Sequence, residues 1–439
     1  MRRFLAVALL AAAGSACTSK PATFSDESLA REGRRYREDT AYRRTALEHS
    51  LTNHDNLYSR QRLASYALGT RGWDLLPEWN PRSRPVSAEM AANIERGVFP
   101  KISADAPPLW DGAEPATPAA WIALGRRVFL EYPMRADVFM EYGLTKPALA
   151  AAVGLERTSD GAVPGVVAFA NVDGNARLGI TCALCHATVR DGALVIGSAR
   201  RSFDYGRLRI AYFDETHAPV DPELARRTAT WGPGRADVSE DDDENPVTIP
   251  DLWGVASQSF LTQTGAIRND SPLALAIRQE TQLTDSNHLM IRPPRTLVWA
   301  LVMYVRSLTP PAEKTAASSP QIARGASLFA AQCRGCHSNE AHGGGAIPLD
   351  AIGTDPALAN GHGRGTGAYR TPPLVRVRDG APYLHDGSIS SLAELLSSER
   401  LRPGYRAGRL GTGAIPGHRA GTELPTADRA ALVAFLETL

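Results

Sequence analysis

Cys182-Ala183-Leu184-Cys185-His186 and Cys333-Arg334-Gly335-Cys336-His337 are the stretches on which the fold turns. Both read CxxCH. On a helical turn, residues three and four apart share a face. Two thiols so placed match the two vinyl groups of one porphyrin, and the following His falls beneath its iron. The motif therefore points to c-type haem attachment. The rival readings are zinc or redox CxxC sites; the His adjoining both pairs weighs against them. The expectation is two covalently bound c-type haems, held by Cys182, Cys185 and His186 and by Cys333, Cys336 and His337. These four cysteines, with Cys17, are all the chain has, so no disulfide scaffold is expected.

Working outward, the N-terminus reads as an export signal. Met1-Arg2-Arg3 is basic, Phe4 to Ala13 is apolar, and Gly14-Ser15-Ala16 supplies small residues for cleavage. Residues 1–16 are expected to be removed. Cys17 then allows lipidation, although Gly14 stands where a lipoprotein box has Leu. No later run is apolar enough for a membrane helix. The expected location is the periplasm, with any membrane contact through a lipid anchor.

The 439 residues suggest two or three domains at roughly 150 residues each. A hydrophobic share of 43% excludes a mainly disordered chain. The 48 basic and 47 acidic residues nearly cancel, so nothing points to nucleic acid. Residues 17–115 are expected to form a helical N-terminal extension. Ser25 to Ser50, charged and Arg-rich, reads as one or two surface helices, and Ala88 to Val98 as another. Gly161 to Asn175 reads as loop or short strands. A first unit spans 116–309, a Pro-rich linker 310–320, and a second unit 321–439. Helices are expected at Pro118–Leu130, Leu273–Glu280, Thr296–Leu308, Gln321–Ala331 and Ala427–Leu439. The segment Ile322 to Phe329, followed by CxxCH and a last helix, has a cytochrome c layout. Gly125-Arg126-Arg127-Val128-Phe129 echoes its opening helix. If the echo holds, the first unit carries a long insertion before Cys182. The fold class is mainly α: two cytochrome c-type haem domains in tandem plus an α-helical N-terminal extension.

Tyr369-Arg370-Thr371-Pro372-Pro373-Leu374 and Ala381-Pro382-Tyr383-Leu384-His385-Asp386-Gly387-Ser388 carry a more specific signal. With Leu392-Ala393-Glu394-Leu395, they resemble the second domain of the bacterial di-haem cytochrome c peroxidases. That superfamily includes the MauG-type enzymes and the rubber oxygenases. The resemblance is strong from Gln321 onward, fair across Leu178–Arg278, and absent before about residue 115. It implies that Trp231, before Gly232-Pro233, lies between the haems. It also implies a downstream glutamate as acid–base group, and Glu280 stands in that region, with Gln258 and Gln263 as polar neighbours. The acidic run Glu240 to Glu244 makes calcium conceivable by the same resemblance; a solvated loop is the simpler reading.

The distal ligand chooses between electron transfer and catalysis. No Met lies beyond Met303, so the second unit has no Met for its own haem. His418, in Pro416-Gly417-His418-Arg419, is the expected partner of His337. It resembles the His-bearing C-terminal motif of the rubber-oxygenase branch. His385 is expected to pack near the haem, and His342 and His362 to be exposed. His217 and His288 are candidates for the first haem, whose iron is otherwise open to peroxide or dioxygen. The expected activity is peroxidase-like, with a small cytochrome or cupredoxin as electron donor. Oxidation of a small organic substrate and plain electron transfer are the alternatives.

Overall fold

The computed structural model describes residues 26–103, 105–237, 241–312 and 318–439. The expected signal, Cys17 and residues 313–317 of the linker lie outside these residues. Three helices open the chain: α1 (Asp26–Glu38), α2 (Thr40–Ser50) and α3 (Leu57–Ser65). Asp39 caps α2 by accepting from the Tyr42 amide at 2.8 Å, and Asn56 caps α3 through the Ser59 amide at 2.9 Å. The expectation of surface helices fails here. Tyr36, Leu47, Tyr58 and Tyr66 are buried in one core with the helices that follow. The apolar and aromatic positions, few among many arginines, point to one side. Arg43 is buried too, because its guanidinium closes the end of α1 by donating to the Tyr36 carbonyl at 2.7 Å.

Three long helices frame the first unit: α4 (Pro118–Glu131), α5 (Pro272–Ser286) and α6 (Arg295–Ser307). Thr117 and Ser271 cap the first two, each with Pro at the helix start. α4 crosses α6 at Gly125, where a Cβ would overlap the Ala300 carbonyl oxygen. One turn on, the Phe129 and Tyr304 rings meet at 5.6 Å. The same crossing recurs between α7 (Pro320–Gln332) and α8 (Thr426–Leu436). There a Cβ on Gly325 would overlap the Ala431 carbonyl oxygen, and Phe329 meets Phe435 at 5.4 Å. The echo between the two opening helices is thus one of geometry as well as of letters.

The second unit runs straight from α7 into its motif, with Cys333 as the helix cap. The first does not. Between α4 and Cys182 lie β2 (Arg135–Ala136), β3 (Val163–Ala170) and β4 (Ala176–Ile180). They join β1 (Ser83–Val86) in an antiparallel sheet ordered β1-β3-β4-β2, with Arg84 facing Ala168 and Ala168 facing Leu178. So the described residues before 116 are not a separate appendage: their strand extends the first unit's sheet and their helices share its core. β3 is apolar on both faces and buried. Gly165, at φ 88°, lets it press on the first motif, since a Cβ there would overlap the Leu184 backbone.

Candidate haem centres

The first motif turns through a short helix, Ala183–His186, at the seam of two apolar clusters. Cys182 packs against one cluster and Cys185 against the other. Burial pushes the Cys182 thiol up to about 12 and the Cys333 thiol up to about 11. None of these four cysteines forms a disulfide. Arg200, fully buried, braces the turn: its Nε donates to the Ala187 carbonyl at 2.9 Å.

Each motif histidine has its ring fixed by a backbone carbonyl. His186 Nδ1 lies 3.0 Å from the Pro250 carbonyl oxygen, and His337 Nδ1 lies 2.6 Å from that of His342. A carbonyl oxygen only accepts, so Nδ1 carries the proton and Nε2 keeps a free lone pair. That tautomer is the one a metal needs. Burial favours the neutral ring in both cases and brings His186 down to about 4. His342 is therefore not the exposed loop residue expected from sequence. It is half-buried, its ring is 5.1 Å from Phe329, and its carbonyl orients His337.

The His337 and His418 ring centroids are 6.4 Å apart, with planes at 66°. Two imidazoles bound on opposite sides of one metal through bonds of roughly 2 Å have centroids roughly 6 Å apart. The pair fits an iron between them. Burial, then the neighbouring charges of His337 and Arg400, bring His418 down to about 4. Its Nδ1 is buried without a partner. The loop that carries it is held by the fully buried Arg400, whose Nη2 donates to the Gly417 and His418 carbonyls at 2.9 Å each. The same guanidinium reaches the Ile415 carbonyl at 2.6 Å. Sequence reasoning missed Arg400, because no local motif announces a guanidinium that works only through backbone carbonyls.

Arg370 supplies a further test of fit. Burial pulls its guanidinium down to about 10, and Nε and Nη1 have no partner. A buried cation with unmet donors suits an anionic group such as a haem carboxylate. The residues present thus fit a c-type haem.

The remaining expected residues fall less neatly. Glu280 is 2% exposed, and both its oxygens are engaged. Oε2 accepts from the Tyr36 and Tyr66 hydroxyls at 2.7 Å each, and Oε1 pairs with Arg295 at 3.0 Å. A general-base role does not fit that geometry; Glu280 is a strut between the N-terminal helices and α5–α6. Trp231 is buried against Tyr205, with Arg209 over its ring at 5.1 Å, in the cluster that contains Cys185. Trp253, which sequence reasoning passed over, stands on a segment that reaches both motifs. The Pro250 carbonyl meets His186, and the Ser257 carbonyl accepts from Asn339, two residues past His337, at 2.9 Å. Gln258 is buried in the first unit, and Gln263 Nε2 donates to the Thr248 carbonyl at 3.2 Å.

His217 and His288 are exposed left-handed residues at the ends of helices, and neither ring packs on His186. His362 is exposed and pairs with Asp243 at 3.2 Å. His385 is packed on Tyr369 with centroids 4.3 Å apart. It lines a cavity of about 450 Å³ with Arg235, Asn245, Asp355 and Asp386. Of the acidic run, Asp242 pairs with Arg227 at 3.3 Å; Glu240 lies outside the described residues. Among the described residues, no group of three or more His, Cys, Asp or Glu is arranged to hold a metal ion, so nothing here supports calcium. No described helix is long and apolar enough to cross a membrane.

Residues 368–406 match the family model described as RoxA-like, cytochrome c-like. The methylamine utilization protein MauG of Methylorubrum extorquens is 26% identical over 282 residues, covering 59% of this chain and 72% of that protein. Among solved structures, a MauG-like protein associated with microbial copper homeostasis aligns with 44% of the chain and 73% of its own. Its identity is 20% and its TM-score 0.31. Hydrazine synthase of Kuenenia stuttgartiensis aligns with 78% of the chain and 99% of its own, at 14% identity and a TM-score of 0.35. Its cytochrome c-like segment and its 26% identity to MauG make the chain similar to the MauG and rubber-oxygenase-like haem oxidoreductases.

Proposed function

We propose that this protein is an exported di-haem oxidoreductase whose two centres have different tasks. The observation that carries the reading is an asymmetry between the motif histidines. His337 faces His418 across a gap of iron-ligand size, whereas among the described residues no histidine ring packs on His186. The second centre, closed on both sides, suits electron transfer; the first, closed on one side, suits a reacting molecule.

A haem held by Cys182, Cys185 and His186 would supply the redox chemistry by which hydrogen peroxide, with two electrons and two protons, gives two waters. The chain does the rest. The Pro250 and His342 carbonyls hold the two imidazoles in the ligating tautomer. The apolar cluster of Leu273, Ile277, Leu297 and Leu301 limits water around Cys182. Arg400 keeps His418 in place. Trp253, 2% exposed, lies on the covalent and hydrogen-bonded path between the motifs and is the better placed relay, with Trp231 the alternative. A small cytochrome or cupredoxin would deliver electrons to the second centre. The periplasm is the compartment that the N-terminal sequence and haem attachment favour.

A second reading is oxidation of an organic substrate. The RoxA-like segment and the replacement of Met by His418 favour it, because a His/His pair lowers the potential relative to His/Met. Absorption and EPR spectra of the purified haem-loaded protein test the shared premise: one high-spin, cyanide-binding haem and one low-spin haem are expected. Two low-spin, ligand-inert haems would sink both readings. Stopped-flow mixing with peroxide then separates them. Rapid turnover that depends on a reduced cytochrome supports the peroxidase, and a long-lived oxidised state without it supports substrate oxidation.

A further inference from the structure

We propose that Tyr58, Arg62 and Arg278 form a carboxylate-binding site beside the first CxxCH motif, two of the three side chains coming from the N-terminal helices. The site's position relative to a reacting centre rests on the function proposed above; its chemistry does not.

The start of α3 is fastened to the second unit. The amides of Leu57 and Tyr58 donate to the His362 and Gly363 carbonyls at 3.0 Å each, and Asn56 Nδ2 donates to that of Gly365 at 3.1 Å. This holds the Tyr58 ring between two guanidiniums, Arg62 at 3.4 Å and Arg364 at 5.0 Å from the ring centroid. Arg62 is 2% exposed and Tyr58 6%. Arg62 Nε donates to Thr281 Oγ1 at 3.1 Å, and that hydroxyl donates to the Arg278 carbonyl at 3.2 Å. Arg62 is thereby tied to the turn of α5 that carries Arg278. Arg278 and Thr281, three residues apart, share a face of α5, and Cys182 packs against the core that holds Tyr58, Leu275 and Ile277, which sets the cluster next to the first motif.

What the cluster lacks is an anion. The hydrogen-bond acceptors given to Arg62 and Arg278 are Thr281, a backbone carbonyl, and the amide oxygens of Gln61 and Gln279, all neutral. Among the described residues no carboxylate pairs with either. Arg43 and Arg295, in the same core, have Asp74 and Glu280. A buried guanidinium is stable when an anion meets it, and its flat fork matches the two oxygens of a carboxylate. Burial alone would raise the Tyr58 phenol, yet Arg62, Arg278 and Arg364 outweigh it and hold the phenol below its ordinary value. The hydroxyl offers a third donor. Two sources share this chemistry: a propionate at the edge of the first haem, and the carboxylate of an external molecule.

The test uses the haem-loaded protein without peroxide, so an inert enzyme would not obscure it. Benzoate is titrated against the first haem's absorption in the wild type, Arg62→Gln, Arg278→Gln, Tyr58→Phe and Arg278→Lys. Spectroelectrochemical titration of both haems runs alongside. For an external carboxylate, benzoate shifts the wild-type spectrum saturably. Both Gln variants then weaken it at least about tenfold, and Arg278→Lys, which keeps the charge but loses the fork, weakens it less. For a propionate, benzoate is silent, and the Gln variants lower the midpoint potential of the first haem and not of the second. Arg278→Lys controls for misfolding, since it keeps the charge and most of the volume. If the Gln variants retain both haems and match the wild type in benzoate response and in first-haem potential, the proposal is overturned.

Discussion

At the scale of single residues, the histidines divide by what their rings meet. Replacing His418 with Ala should leave the second haem without its distal ligand; the low-spin signal of that centre should give way to a high-spin one. An unchanged EPR spectrum would refute the pairing with His337. His385 gives a different test, because it is half-buried but is not a ligand in this reading. Burial lowers it below its ordinary value of 6.5, although Asp386 and Asp355 oppose the shift. The unfolded chain therefore takes up the proton first as pH falls. Stability is full above the ordinary value and declines below it, so it rises with pH across that window. His385→Gln should flatten the slope by at most about 1.4 kcal/mol per pH unit, read from urea midpoints between about pH 7 and pH 5.

At the scale of elements, the two helix crossings make matched experiments. Gly125→Ala and Gly325→Ala each force a methyl group into a carbonyl oxygen of the facing helix. Each should destabilise by about 1–3 kcal/mol in chemical denaturation, and each should disturb chiefly the haem spectrum of its own unit. These crossings also show what the sequence could reveal. The helices were legible because caps and apolar spacing are local: Thr117-Pro118 and Ser319-Pro320 announce their starts. The candidate proximal ligands could be named because CxxCH compresses a proposed haem site into five residues. His418 was reached through resemblance and the absence of Met. The rest depends on contacts between distant segments. Nothing near Pro250 says that its carbonyl will meet His186, and nothing in the Arg-rich opening says that Tyr36 will be buried. Glu280 was placed wrongly for the same reason: its partners, Tyr36 and Tyr66, lie in a segment with no resemblance to consult.

At the scale of the whole molecule, the Glu280 network joins the beginning of the chain to the middle. Arg295 bridges Glu280 and Asp74, and Arg43 approaches Asp74 at 3.6 Å. Glu280→Leu should therefore lower the unfolding free energy by about 3–5 kcal/mol, because it strands Arg295 and two tyrosine hydroxyls. Glu280→Gln, which keeps the shape, should cost less. If Glu280→Gln abolished peroxide turnover while leaving the denaturation midpoint alone, the strut assignment would be wrong. The same long-range tie has a consequence for synthesis. Tyr36 and Glu280 are 244 residues apart in sequence, and such contacts form late. The opening helices emerge first but have no core to join until α5 and α6 have followed. Cys182 and Cys185 emerge in between. The nascent chain thus presents its first thiol pair on an unfinished surface, and the segment made earliest is the one that closes over it last.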